Sequence, residues 1–325
     1  MTLTELKYII AVARERHFGR AAEACFVSQP TLSVAVKKLE DELGVKVFER
    51  SSGEVTVTPL GERLVEQAQN VLDQAHLLKE IAQSSTDPLK GPLRLGVIYT
   101  IGPYLLPELV RQVIENTPQM PLMLQENFTS RLLEMLRVGE IDCAILAEPF
   151  PDNNLAIAPL YDEPFLAAVP TSSPLAQQKA ITTSELKKQN MLLLGTGHCF
   201  RDHVLQVCPE FARFSDSEGI QKSFEGSSLE TIKHMVAAGM GITLVPRLAV
   251  PQGMAPEDES PGQNRPSEAA HIRYLPVSDD GRYAAPSRRV VLAWRRSFTR
   301  YEAIAALRNA VYACTLPGVK RVQEN

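Results

Sequence analysis

The sequence predicts an α/β protein in three parts: a small helical head, one long helix, and a larger domain of two α/β lobes. Three observations carry this. Residues 1–57 hold helix signals and a single hairpin. Residues 58–87 hold one apolar stripe at helical spacing behind a single cap. From residue 92 onward strand-like and helix-like segments alternate, and the same order of elements recurs. The totals agree, since 325 residues suit two or three domains of ~100–150 residues. Hydrophobic residues at 44% and charged residues at 22% exclude a wholly disordered chain. A net charge of −4 excludes a uniformly basic coat but leaves room for a local basic surface. The longest clean apolar run near the start is Tyr8–Ala13, far short of the ~20 residues of a membrane helix. Charges at Glu5, Lys7, Arg14, Glu15, Arg16 and Arg20 leave no secretory core, so a cytoplasmic protein with no membrane partner is expected. Five cysteines, an odd number, speak for free thiols.

In the head, Thr2-Leu3-Thr4-Glu5 is a capping box opening a helix to about Arg14. Leu6, Ile9, Ile10 and Ala13 give that helix one core face. A second helix covers Gly19–Cys25. Ser28 caps a third, with Pro30 in its first turn, and Gly44 stops it after Leu43. Val45–Phe48 and Glu54–Val57 read as strands around Ser51-Ser52-Gly53. Two short helices joined at Phe26-Val27-Ser28 and followed by a hairpin describe a winged helix-turn-helix, which lays its second helix in the major groove of DNA. Leu32, Val36 and Leu39 form the core side of that helix. Gln29, Pro30, Thr31, Ser33 and Lys37 are the candidate DNA-facing residues, and Arg50 at the base of the wing suits a phosphate or a narrow minor groove. Residues 1–50 hold eight Lys and Arg against seven acids, so the reading rests on placement and not on charge.

Thr58 caps the long helix and Pro59 occupies its first position. Leu60, Leu64, Ala68, Val71, Ala75, Leu78 and Ala82 follow at spacings of three and four, a stripe that suits a coiled-coil seam between two copies of the chain. The alternative is an amphipathic helix packed on its own domain. Beyond it, strands are expected at Leu93–Val97, Pro121–Gln125 and Asp142–Ala147, with helices at Pro103–Glu115 and Thr129–Val138 between them. The order recurs with strands at Met191–Leu194, Ser223–Glu225 and Ile242–Val245 and helices at Cys199–Val207 and Ser228–Ala238. Phe165–Pro170 and Ile272–Val277 are the extended crossings; Val290–Trp294 is a further strand and Thr299–Cys314 a closing helix. The expected domains are therefore a head at 1–57, a linker helix and hinge at 58–91, and a bilobed domain at 92–325. Lobe I of that domain takes about 92–164 and 272–325, and lobe II about 165–271. Residues 253–270 read as a surface loop and 318–325 as a frayed tail.

A second constellation is GTGHCFRDHVLQVC, residues 195–208. Cys199 falls at a helix N-terminus, where the dipole favours a thiolate, and His198 and Arg201 flank it. Cys208, nine residues on, is a candidate resolving thiol. Two buried structural cysteines remain an alternative, as does a metal site from His198, Cys199, His203 and Cys208. Cys25, Cys143 and Cys314 read as small hydrophobes. Ligands in open α/β sheets bind at the carboxyl ends of strands, beside helix N-termini. Thr100, Thr129, Cys199 and Ser227 or Ser228 mark four such points, with the hydroxyls capping their own helices as the plain alternative.

HFGRAAEACFVSQPTLSVAVKKLEDELGVKVFER, residues 17–50, resembles the DNA-binding signature of LysR-type transcriptional regulators. The long helix and the bilobed domain, of the periplasmic-binding-protein-like kind, match that family over essentially the whole chain. The resemblance implies promoter DNA and RNA polymerase as partners, a dimer and then a tetramer built as a dimer of dimers, no cofactor and no enzymatic role. GPYLLPEL (102–109), GHCFRDHVLQVC (197–208) and SLETIKHMVAAGMGITLVP (228–246) are similar to peroxide-sensing members of the family. This implies Cys199 as the peroxidatic and Cys208 as the resolving cysteine. It also implies hydrogen peroxide as effector and a thioredoxin- or glutaredoxin-type reductant. Thr100, Thr129, His198 and Ser228 are the expected effector contacts. The other readings are a regulator sensing a small organic metabolite in the interlobe cleft and a thiol peroxidase, against which the DNA-binding head stands. The 253–270 insertion has no counterpart in the family pattern.

Overall fold

The computed structural model describes residues 1–51, 54–83, 87–151, 154–209, 225–226, 228–256, 271–278 and 286–322. The chain forms two compact units, one built chiefly from Met1–Asp87 and the other from most of the chain after Pro88.

In the first unit, helices span Leu3–Glu15, Phe18–Ala24 and Gln29–Leu43. The Thr2–Glu5 capping box is formed, Ser28 Oγ accepts from the Thr31 N–H, and Gly44 closes the third helix in the left-handed region at φ 68°. His17 caps the second helix, its Nδ1 accepting from the N–H groups of Gly19 and Arg20. The wing differs from expectation: its strands are Phe48–Ser51 and Glu54–Val57, and Val45–Val47 are not strand. The buried Glu40 carboxylate explains the shift. It accepts the N–H groups of Val47 (2.8 Å) and Phe48 (3.1 Å) and pairs with Lys46. Those donors are thus not available to a ladder before Phe48.

The long helix runs Pro59–Gln83, capped by Thr58, whose Oγ1 accepts from Gly61 N. Asp87 is not helical, and 84–86 lie outside the described residues. The apolar stripe is not simply a free seam. Ala68 is 3% exposed in the head's own core, and Leu64 and Val71 pack against it. Leu60 and Leu78 remain exposed, Leu78 at 71%. Ala82 lies outside the described side chains.

Among the described residues the second unit is built on a nine-stranded mixed sheet. Its main path runs Leu122–Asn127, Leu93–Ile98, Cys143–Ala147, Ser287–Arg295, Leu155–Pro170, Ile272–Ser278, Ile181–Thr182. Leu155–Pro170 is one 16-residue strand, of which the expected crossing at Phe165–Pro170 is only the end. Its first part pairs with Ser287–Arg295 and its last part with Ile272–Ser278 and Thr243–Pro246. One strand therefore runs through both lobes. The helices Gly102–Asn116, Thr129–Val138 and Tyr301–Ala313 belong to one lobe. Cys199–Val207 and Leu229–Ala237 contribute to the core of the other, around Phe165, Phe200, Ile232 and Leu244. In that lobe the expected strand at Met191–Leu194 shortens to Leu193–Leu194, paired with Glu225–Gly226, while Met191 makes one isolated bridge to Ile242. The tail is not wholly frayed, because Lys320–Arg321 pair with Asp162 and Tyr161. Residues 257–270 of the expected loop and 323–325 of the tail lie outside the described residues.

Candidate functional site

The Cys199–Val207 helix starts at the thiol and ends at Cys208, which is its C-cap. Gly197 at φ 97° supplies the left-handed step into the helix. Both cysteines are thiols, not joined in a disulfide; Cys199 is partly exposed and Cys208 fully buried in the lobe core. Nine steps of α-helix advance ~13.5 Å along the axis. A disulfide tolerates a Cα separation of at most ~7 Å. These two thiols therefore cannot join on this backbone.

Three of the expected points do converge. Burial pushes the Cys199 thiol pKa up, against the expectation of a helix-stabilised thiolate. Desolvation of the sulfur is the largest influence on it. The Thr129 hydroxyl beside the thiol pulls the other way, although it does not close to a full hydrogen bond. So does the charge of Arg288. Thr100, after the strand Leu93–Ile98, is buried, and both its Oγ1 (2.8 Å) and its carbonyl (2.9 Å) accept from Arg288. Arg288 also pairs with Glu163 directly across the strands at 2.8 Å, with side chains 1% and 0% exposed. Glu163 accepts from Leu248 N as well. The Phe200 ring lies under the Arg288 guanidinium, 5.4 Å from its centroid.

Sequence reasoning missed Arg288 and Glu163. The signal was available in Arg288-Arg289, two cations inside an apolar strand. The period of two sends one side chain to each face. Arg289 goes out to Asp162 and Arg288 goes in.

The other expected members make contacts of their own. Arg201 is buried, and its Nη1 donates to the Leu194 carbonyl, which anchors the helix start. His198 packs against Phe128 and Tyr99. His203 donates from Nε2 to the Glu148 carbonyl at 2.7 Å. The two imidazoles serve different neighbours, and among the described residues no group of three His, Cys, Asp or Glu gathers to hold a metal. Ser228 is an exposed N-cap whose side chain makes no cap bond, and no described contact joins it to the thiol; Ser227 lies outside the described residues. Burial raises the Cys143 thiol pKa strongly and pushes that of Cys314 up to about 11, in keeping with passive roles. Cys25, the C-cap of its helix, is also raised by burial.

On the head, Gln29, Pro30, Thr31 and Lys37 are exposed, Ser33 is half-buried, and the Thr31 hydroxyl is tied to Ser28 Oγ at 2.8 Å. Arg50 pairs through its backbone with Val55; its side chain lies outside the described set. Leu32, Val36 and Leu39 are buried, so the face opposite them is centred on Val34, 67% exposed. That residue too was missed.

The sequence matches the bacterial regulatory helix-turn-helix protein, lysR family, over residues 3–62 and the LysR substrate binding domain over residues 86–258. This chain belongs to the LysR family. A relative within it, a hydrogen peroxide-inducible genes activator from Pectobacterium carotovorum subsp. carotovorum, is 39% identical over 94% of this chain and 95% of its own length. A full-length OxyR mutant from Pseudomonas aeruginosa is 46% identical, with a TM-score of 0.64 over 97% of this chain and 99% of that one. An H2O2-bound OxyR mutant from Corynebacterium glutamicum is 33% identical, with a TM-score of 0.59 over 95% and 91%. Within the LysR family, then, the likeness runs to OxyR over both the head and the substrate-binding domain.

Proposed function

We propose that this LysR protein is a hydrogen peroxide-responsive regulator of transcription, switched by a Cys199–Cys208 disulfide. The observation that carries the reading is a thiol set beside Thr129 and within the field of Arg288, with a second thiol at the far end of the same short helix. The relatives named above for peroxide support it. The chemistry balances. Cys199 sulfur attacks one peroxide oxygen, the O–O bond breaks, and the departing oxygen takes the thiol proton and leaves as water. Cys199 is then a sulfenic acid. Cys208 sulfur attacks it, the S–S bond forms, and the hydroxyl leaves with the Cys208 proton as a second water. A dithiol protein of the thioredoxin or glutaredoxin class returns both thiols.

Thr129, with Thr100 and His198 nearby, is assigned to hold the peroxide oxygens, and Arg288 to stabilise the thiolate as it forms. Ser228 would join only after a rearrangement. The head at 1–57 binds promoter DNA through Gln29, Pro30, Ser33, Lys37 and Arg50, with Thr31 held by its cap. Val34 is added to this set, because an exposed apolar side chain suits a thymine methyl. The helix in 58–91 pairs two chains through its exposed ends, the domain at 92–325 senses, and dimers join as tetramers that address RNA polymerase. The protein works in the cytoplasm and is not an enzyme. Among the described residues no helix is long and apolar enough to cross a membrane.

The test is footprinting of reduced and oxidised protein on one promoter, with mass spectrometry after equimolar peroxide. A Cys199–Cys208 crosslink with a changed footprint is expected. Unmodified thiols and a retained organic acid would mean a metabolite sensor instead.

A further inference from the structure

Each of the three turns that carry polar groups to the thiol site also carries, one residue earlier, a ring: Tyr99 before Thr100, Phe128 before Thr129, His198 before Cys199. The rings meet one another. Centroids lie 5.3 Å apart for Tyr99–Phe128, 4.8 Å for Phe128–His198 and 5.9 Å for Tyr99–His198. The contacts are edge-on or tilted, so each ring closes against the next. Exposure falls through the layer: Tyr99 is 40% exposed, Phe128 half-buried and His198 7% exposed. The Phe128 backbone N–H donates to Asn127 Oδ1 at 3.0 Å, and its ring lies beside Gly197, where an added Cβ would stand 3.4 Å from it. Next to this layer, and more deeply buried, are Thr100 and the Thr129 hydroxyl. The chemistry proposed above uses neither Tyr99 nor Phe128.

We propose that the Tyr99–Phe128–His198 layer is a size filter that admits hydrogen peroxide to Cys199 and holds back alkyl hydroperoxides. The inference rests on the peroxide reading. Any hydroperoxide ROOH reacts by the same displacement: sulfur bonds to the terminal oxygen, the O–O bond breaks, and RO⁻ leaves and takes the thiol proton as ROH. Hydrogen peroxide brings two heavy atoms, both able to hydrogen-bond to the hydroxyls. A tertiary alkyl or cumyl group on one oxygen must find space among rings already in contact.

The experiment uses full-length reduced protein carrying Cys208→Ser, so that the Cys199 sulfenic acid persists for trapping. Rates are measured with hydrogen peroxide, tert-butyl hydroperoxide and cumene hydroperoxide, each normalised to its reaction with free cysteine. The parent should react at least about tenfold more slowly with the two alkyl peroxides, the scale on which a pocket discriminates by bulk. Phe128→Ala should narrow that gap about tenfold while changing the hydrogen peroxide rate less than about threefold. Tyr99→Ala, at the exposed edge, should narrow it less, and Phe128→Leu should keep most of it. A common factor for all three peroxides in both alanine variants overturns the filter, as does a parent without a normalised gap. Tyr99→Ala answers the question even where Phe128→Ala does not fold. If no peroxide oxidises Cys199, the sensing reading falls and the filter with it, a result distinct from oxidation without discrimination.

Discussion

Glu163 and Arg288 face each other on paired strands with both side chains out of water, so removing either charge alone strands the other. Arg288→Met should cost about 3–5 kcal/mol in urea unfolding, and adding Glu163→Gln should recover much of it. The same Arg288→Met change should slow Cys199 oxidation, since it removes the cation that offsets burial of the thiol. His203 gives a pH dependence. Burial is the chief cause that holds its pKa below 6.5, so below that pH the unfolded chain takes up a proton that the folded chain refuses. Stability should therefore fall as pH drops from 6.5, and His203→Gln, which keeps a donor for the Glu148 carbonyl, should flatten that slope in melts between about pH 5 and 7. Cys199 was legible as a candidate because its place at a helix start follows from local signals. Its actual thiol chemistry was not, because the burial and the cation beside it come from residues ~90 positions away in sequence and adjacent only through strand pairing.

The Cys199–Val207 helix is both the scaffold of the thiol and the obstacle to its disulfide. Closing ~13.5 Å to ~7 Å requires unwinding, which removes Phe200, His203 and Val204 from the core they occupy. Amide exchange should show 199–208 losing helical protection on oxidation, with no comparable change around Cys143. Identical exchange in both redox forms would mean that the disulfide closes by some other movement. The long helix carries a contrast at two positions. Leu78→Asp should yield smaller assemblies by sedimentation with the head still folded, whereas Ala68→Asp should unfold the head itself, because only Ala68 is buried within its own unit. Helix limits were legible where caps decide them, as at Thr2, Ser28 and Gly44. The wing start was not, because Val45 and Val47 alternate like a strand while the Glu40 carboxylate, seven residues before Val47, takes the backbone donors.

At the scale of the molecule, Arg300 gathers the segment that enters the sensing domain. Its guanidinium donates to the carbonyls of Pro88 (3.0 Å), Lys90 (3.2 Å), Gly91 (3.3 Å) and Pro92 (2.9 Å). Arg300→Ala should speed proteolytic cleavage between residues 84 and 92 while leaving the domain's melting temperature nearly unchanged; an unchanged cleavage rate would mean that the strand Leu93–Ile98 alone holds the segment. The order of elements, the helix-turn-helix head and the α/β alternation were determined by sequence, because caps, turns and apolar periods act over a few residues. So was the likeness to LysR regulators, carried by residues 17–50 and 197–208. Tertiary structure alone decided three things: that one strand, Leu155–Pro170, serves both lobes; that a buried Arg288–Glu163 pair holds Thr100 and sets a positive charge within the field of the thiol; and that part of the expected dimer seam packs inside the head. The physical reason is common to all three. Register, burial and charge pairing depend on which distant segments meet, and a one-residue shift of a strand turns every side chain to its other face.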